Sequence, residues 1–207
     1  MVSVDIIKPE RIENTGITSL ETILRQTPGV EILDGQPGIR GGSGYSYGAG
    51  SRVLVLIDEL PILTADAGDV KWDYLPVENI RQVEVIKGAS SVLYGSSALN
   101  GVFNIRTLYA GDVPKTRLSL YSGIYMKPER EEMVWWDRNP LFAGFDFSHR
   151  RKIRDLDLVL GGSLFRDEGY REDEYLDRAR LNVGIQHRNP GIRGLSYGMN
   201  MSMMLVD

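Results

Sequence analysis

Leu195-Ser196-Tyr197-Gly198-Met199-Asn200-Met201-Ser202-Met203-Met204-Leu205 puts an apolar side chain at every second position, with mostly small or polar residues between. A period of two belongs to a β-strand, whose successive side chains point to opposite faces. Four earlier segments repeat the pattern. In residues 116–126, Leu118, Leu120, Ile124 and Met126 share a face; in 141–150, Leu141, Ala143, Phe145 and Phe147 do. Residues 156–165 align Leu156, Leu158, Leu160 and Leu164, and residues 179–187 align Leu181, Val183 and Ile185 against Arg180, Asn182, Gly184 and Gln186.

Five alternating segments of about ten residues suit antiparallel transmembrane barrel strands, one face toward lipid and the other toward a wet lumen. Connections alternate as well. Residues 150–155 and 188–194 are short, whereas 127–140 and 167–177 are longer and charged, matching short periplasmic turns and long outer loops. Trp135-Trp136, beside Met133 and Val134, suits either an interfacial aromatic girdle or a buried loop anchor. Barrels use at least about eight strands, so the membrane reading expects the chain to continue past Asp207. A soluble β-sandwich also alternates and stands as the alternative.

Composition narrows the classes further. At 207 residues, with 25% charged and 42% hydrophobic, the chain resembles neither a disordered tail nor a helical membrane protein. The formal charge of -4 has the wrong sign for a broad phosphate-binding surface, so nucleic acid is not an expected partner. Cysteine is absent, which removes disulfide frameworks, zinc-thiolate sites and cysteine nucleophiles. No run of about 18 apolar residues marks a transmembrane helix. Residues 1–8 lack the basic and apolar regions of a secretory signal, so the chain is expected to be either cytosolic or a processed or truncated piece.

The first 110 residues differ in texture. They hold all of the net negative charge, and residues after them balance. Val4 to Ile7 is a short strand. Thr18-Ser19-Leu20-Glu21 has capping-box spacing and predicts a helix from Thr18, with Leu20, Ile23 and Leu24 as its apolar stripe and Pro28-Gly29 as its stop. Val30 to Leu33 should be extended. Val53-Leu54-Val55-Leu56-Ile57 reads as a strand buried on both faces, ending in a turn at Asp58-Glu59-Leu60-Pro61. Pro76 to Asn79 suits one helical turn and 80–86 an amphipathic strand, with Ile80, Gln82, Glu84 and Ile86 opposite Arg81, Val83, Val85 and Lys87. A short helix near 90–94 and a strand at 101–107 complete a small α+β domain.

Several motifs resemble chemistry without its setting. G-x-S-x-G occurs around Ser46 and Ser196, but a nucleophile elbow needs a strand before it and a helix after, which neither has. His149 and His187, the only histidines, fall near strand ends as turn or rim residues. Gly41-Gly42-Ser43-Gly44 lacks dinucleotide and P-loop spacing. The acidic run at 167–177 could hold a cation, although Arg166, Arg171 and Arg178 among it favour a solvated loop. No covalent chemistry and no cofactor are expected.

Five stretches carry a family resemblance: Ser19-Leu20-Glu21-Thr22-Ile23-Leu24-Arg25-Gln26-Thr27-Pro28-Gly29-Val30; Ile39-Arg40-Gly41; Val53 to Asp58; Val83-Glu84-Val85-Ile86-Lys87-Gly88; and Ser91 to Ile105, through Tyr94-Gly95 and Asn100-Gly101. In order and spacing they resemble the plug domain of TonB-dependent outer-membrane receptors, over about Val4 to Thr107. The resemblance implies an α+β plug domain, a mixed small sheet with short helices, at 1–110. Antiparallel transmembrane β-barrel strands follow at 111–207, the first about five of the family's 22-stranded barrel. It implies import of a scarce solute (an iron chelate, cobalamin or a glycan) driven by a TonB-type partner in the outer membrane of a Gram-negative cell.

Residue by residue, the family's plug–barrel latch maps onto Arg40 and Lys87, the latter standing where arginine is common. Plug loops that face outward in the family map onto Tyr45 and Tyr47 and onto Asp66, Asp69, Trp72 and Tyr74, the candidate ligand contacts. Glu59 replaces the glycine usual after the buried strand, and Asn100 replaces the first of two glycines before the last plug strand. A soluble β-rich binding or adhesion module, or a serine hydrolase using Ser46 or Ser196, are the other readings.

Overall fold

The computed structural model describes residues 3–14, 19–42, 52–64, 68–88, 91–192 and 194–207, and the chain divides into two compact units, Met1–Leu108 and Tyr109–Asp207. The first unit comprises β1 (Ser3–Ile7), α1 (Pro9–Asn14), α2 (Leu20–Arg25), β2 (Val30–Leu33), β3 (Gln36–Ile39), β4 (Val53–Ile57), β5 (Leu60–Pro61), β6 (Ile80–Lys87), α3 (Ser91–Tyr94) and β7 (Gly101–Thr107). Single 3-10 turns at Trp72–Tyr74, Val77–Asn79 and Ser96–Ala98 join them. Its main sheet has the order β1-β6-β7-β4-β5, with β4 and β7 parallel and the other pairs antiparallel; β2 and β3 form a separate hairpin.

Burial follows from alternation. Val53 and Val55 of β4 enter the larger core with Phe103, Ile105, Val83, Val85 and the α2 stripe, while Leu54 and Leu56 meet Ala98 and Val102 on the other face. This is the two-sided burial that the continuous apolar run predicts. In β6 a register shift between Ile80 and Gln82 moves Ile80 onto the face of Val83 and Val85, so the expected partition holds only from Gln82 onward.

The α2 start differs from the capping-box expectation. Helix begins at Leu20 with Ser19 in extended conformation and no side-chain cap; Thr18 lies outside the described residues. Glu21 accepts from Arg25 at 2.6 Å, one turn on.

Asp58 and Glu59 both have positive φ, 47° and 72°, the pairing of a type I′ hairpin turn. Asp58 is held there by accepting from the amide and hydroxyl of Thr107 at 3.0 and 2.5 Å. A Cβ on Gly101 would sit 2.2 Å from the Ile86 carbonyl oxygen, so this position admits glycine alone. The preceding Asn100 instead uses its amide to reach the Gly42 carbonyl, a bond glycine could not supply.

The second unit is one antiparallel meander in the order β12-β11-β10-β9-β8: β8 (Lys115–Ile124), β9 (Leu141–Ile153), β10 (Leu156–Asp167), β11 (Leu176–Arg188) and β12 (Ser196–Val206). The β9–β10 connection shrinks to Arg154-Asp155, with Arg154 at φ 57°. Polarity is inverted relative to a soluble sheet. Leu118, Leu120, Leu164, Leu181, Met199 and Met203 are exposed, Leu120 to 84%, whereas Ser148, Asp157, Ser163, Arg178, Arg180 and Asn182 are buried. All described strands of this unit lie in that single sheet, so no second sheet covers the leucine and methionine face as a sandwich requires.

Candidate functional site

The two latch candidates converge on one strand of their own unit. Lys87, at the end of β6 and 6% exposed, donates to the Asp5 carboxylate of β1 and to the Pro28 carbonyl at 2.6 Å. Arg40 follows β3 with φ 54°; its amide donates to the Gly29 carbonyl at 2.8 Å and its guanidinium to the Ser3 hydroxyl at 2.8 Å. Both cations therefore fasten β1, the edge strand that pairs with β6.

The ligand candidates separate. Tyr45, Tyr47 and Asp66 lie outside the described residues. Trp72 turns inward, 6% exposed, donating to the Gly35 carbonyl at 2.7 Å with its ring 6.5 Å from that of Phe103. Asp69 accepts from Gln36 at 2.6 Å. Tyr74 is half exposed. On the same unit Arg106 bridges Glu59 at 3.0 Å and Glu84 at 3.4 Å; partial burial works against its charge, but the two carboxylates outweigh that and raise its pKa.

A feature that residue-by-residue reading missed runs through the second unit. Trp135 and Trp136 meet edge to face at 5.6 Å; Trp136 contacts Tyr170 at 5.9 Å, and Tyr170 contacts Tyr125 at 5.8 Å. The chain of rings continues through Phe142 (5.7 Å), Phe165 (6.5 Å) and Tyr121 (6.3 Å), and the Arg178 guanidinium lies 5.4 Å over Phe165. Trp135 also donates to the Tyr170 carbonyl at 3.0 Å, which ties its loop to the next one.

Glycine makes the ladder possible: Tyr121 lies opposite Gly144 and Phe142 opposite Gly123, and a Cβ on either glycine would strike the facing ring at 2.2 or 2.4 Å. Each ring covers the bare backbone of its partner strand. The phenol of Tyr125 donates to Asp167 at 2.8 Å; burial, then that bond and the charges of Asp167 and Glu174, push its pKa up to about 12. Glu168 ties the two long loops, accepting from the Leu141 amide at 3.0 Å and Arg138 at 2.6 Å, and those bonds hold its carboxyl below the usual range.

Among the described residues the tempting motifs find no catalytic setting. Ser196 opens β12 and accepts from Gln186 at 3.4 Å, with strand rather than helix after it. His187 stacks on Tyr197 at 5.0 Å, and the alternation of β12 puts that ring on the opposite face from Ser196; His149 bonds Thr116 at 2.8 Å. Ser46 lies outside the described residues. Among the described residues, no group of His, Asp or Glu could hold a metal ion.

Residues 1–102 match the family described as TonB-dependent receptor plug domain. The vitamin B12 transporter BtuB of Vibrio vulnificus is 36% identical over 196 residues, 91% of this chain but 28% of that protein. BtuB of Vibrio cholerae is 37% identical over 110 residues, 52% of this chain and 18% of that one. Among solved structures, the siderophore receptor PirA of Pseudomonas aeruginosa superposes with a TM-score of 0.69 at 22% identity, over 97% of this chain and 35% of its own. PirA of Acinetobacter baumannii gives 0.72 at 18%, over 97% and 31%. At such identities the structures establish the fold. The chain belongs to the TonB-dependent receptors. Its first unit has the plug fold, and its second matches strands that follow the plug in those receptors; the chain spans about a third or less of the relatives' length.

Proposed function

We propose that the chain is the plug, about 1–110, and the first strands, about 111–207, of an outer-membrane receptor. It binds a scarce solute of the iron-chelate, cobalamin or glycan class and imports it with energy coupled through a TonB-type protein. The observation that carries this reading is a plug fold followed in one chain by a sheet whose apolar face is bare and whose polar face is buried. An apolar face of that extent suits lipid; in water it would be an association liability. The relation to vitamin B12 transporters supports a role in uptake and leaves the solute class open.

No bond is made or broken in this function; the work is binding and gating. Lys87 and Arg40 act as tethers of β1, and among the described candidate ligand contacts of the plug Tyr74 is the exposed one, with Tyr45, Tyr47 and Asp66 kept as candidates from the sequence. A pull on the chain ahead of β1 would load the Asp5–Lys87 and Ser3–Arg40 bonds before the core strands. Uptake of a labelled solute by cells carrying the whole receptor should depend on both the receptor and the TonB-type protein. Uptake unchanged without either one would overturn the assignment.

A further inference from the structure

The two long loops at one end of the sheet, 125–140 and 168–175, combine exposed rings with acidity. Trp135 and Tyr170 are each 41% exposed and Tyr175 63%. The loops carry eight Asp and Glu against four Lys and Arg. Tyr170 rests against Tyr125 and through it on Phe142 and Phe165, Trp135 rests against Trp136, and the loops are pinned together by Glu168 and by the Trp135–Tyr170 bond. A platform so fixed presents ring faces and edges without reorganising, which lowers the entropy cost of binding.

Ring faces attract ligands that have flat or C–H-rich apolar faces. Surrounding carboxylates accept hydrogen bonds from N–H and O–H groups and repel anions. We propose that Trp135 and Tyr170 form a stacking platform for a ring-faced, uncharged or cationic solute edged with amide or hydroxyl donors, and that it disfavours multiply anionic chelates. The inference rests on the receptor reading, in which these long loops face outward, and it selects among the solute classes that reading leaves open. It also gives Trp135 a task beyond tying its loop down, since an anchor needs no exposed ring.

The test is calorimetric titration of the whole receptor in detergent with cyanocobalamin, with maltohexaose and with a ferric tris-catecholate trianion. Binding of the corrinoid or the glycan in preference to the trianion is expected, with Trp135→Ala weakening it about tenfold and Trp135→Phe restoring most of it, the loss of one stacked ring. A thermal melt of each variant separates lost stacking from lost folding. A variant that melts early is replaced by Tyr170→Ala, for which the same loss is expected. Tight binding of the trianion alone, or affinity unchanged in a folded Trp135→Ala or Tyr170→Ala receptor, overturns the platform while leaving the receptor reading intact. Binding of none of the three overturns the platform, whereas only the uptake experiment above can overturn the receptor reading.

Discussion

Lys87 reaches from the end of β6 to Asp5 of the neighbouring strand, with its own side chain 8% exposed and that of Asp5 45%. An ammonium buried beside a half-exposed carboxylate and the Pro28 carbonyl is satisfied only while β1 stays in place. Asp5→Asn should therefore cost about 1–2 kcal/mol, less than for a fully buried pair because water already screens one partner. Hydrogen exchange checks it: the β1 amides should exchange faster while those of β4 stay protected.

Glu59 occupies a left-handed position that glycine favours. Glu59→Gly should stabilise the first unit by about 0.5–1 kcal/mol, because relief of roughly 1–2 kcal/mol of backbone strain exceeds the value of a largely exposed ion pair to Arg106. Chemical denaturation would read this as a higher midpoint with an unchanged slope.

Gly101 has the opposite sensitivity. Gly101→Ala drives a methyl into the Ile86 carbonyl, a backbone atom fixed in the sheet, and should cost about 3 kcal/mol or more. A melt of the whole receptor should show the plug transition falling sharply; an unshifted transition would refute the packing described around β6 and β7.

The Glu168 carboxyl is held below its usual range by the Leu141 amide and then by Arg138, so its contribution is present above the ordinary glutamate range and disappears as pH falls through its lowered value. Trp135 fluorescence should change in that acidic window as the loops part. Glu168→Gln should show the change at neutral pH and no further one on acidification.

Much of this was legible locally. Val53–Ile57 and Gly101–Thr107 were bounded correctly because burial and alternation act within one strand, and the five barrel-type strands were recognisable from period alone. Two further elements carry local signals outside the expectations above: Asp34-Gly35 is a hairpin pair, with φ 49° and 76°, that joins β2 to β3, and Pro9 opens α1. Glu59 in a glycine position is already visible in the family resemblance, whereas the β6 register shift and the inward turn of Trp72 depend on neighbours far along the chain. So does the aromatic ladder, whose members meet across as many as 45 residues, as Tyr125 and Tyr170 do, through registers that only strand pairing sets.

In the proposed receptor the second unit faces lipid with one side and the wet interior with the other. Because this chain has no cysteine, single cysteines can be placed in turn at Met201 and Ser202, adjacent on β12, and spin-labelled in the whole receptor in liposomes, with any cysteine elsewhere in the receptor first replaced by serine. The label at 201 should be reached by oxygen dissolved in the bilayer and the label at 202 by a water-soluble nickel chelate. Equal access of the nickel chelate to both positions would contradict it.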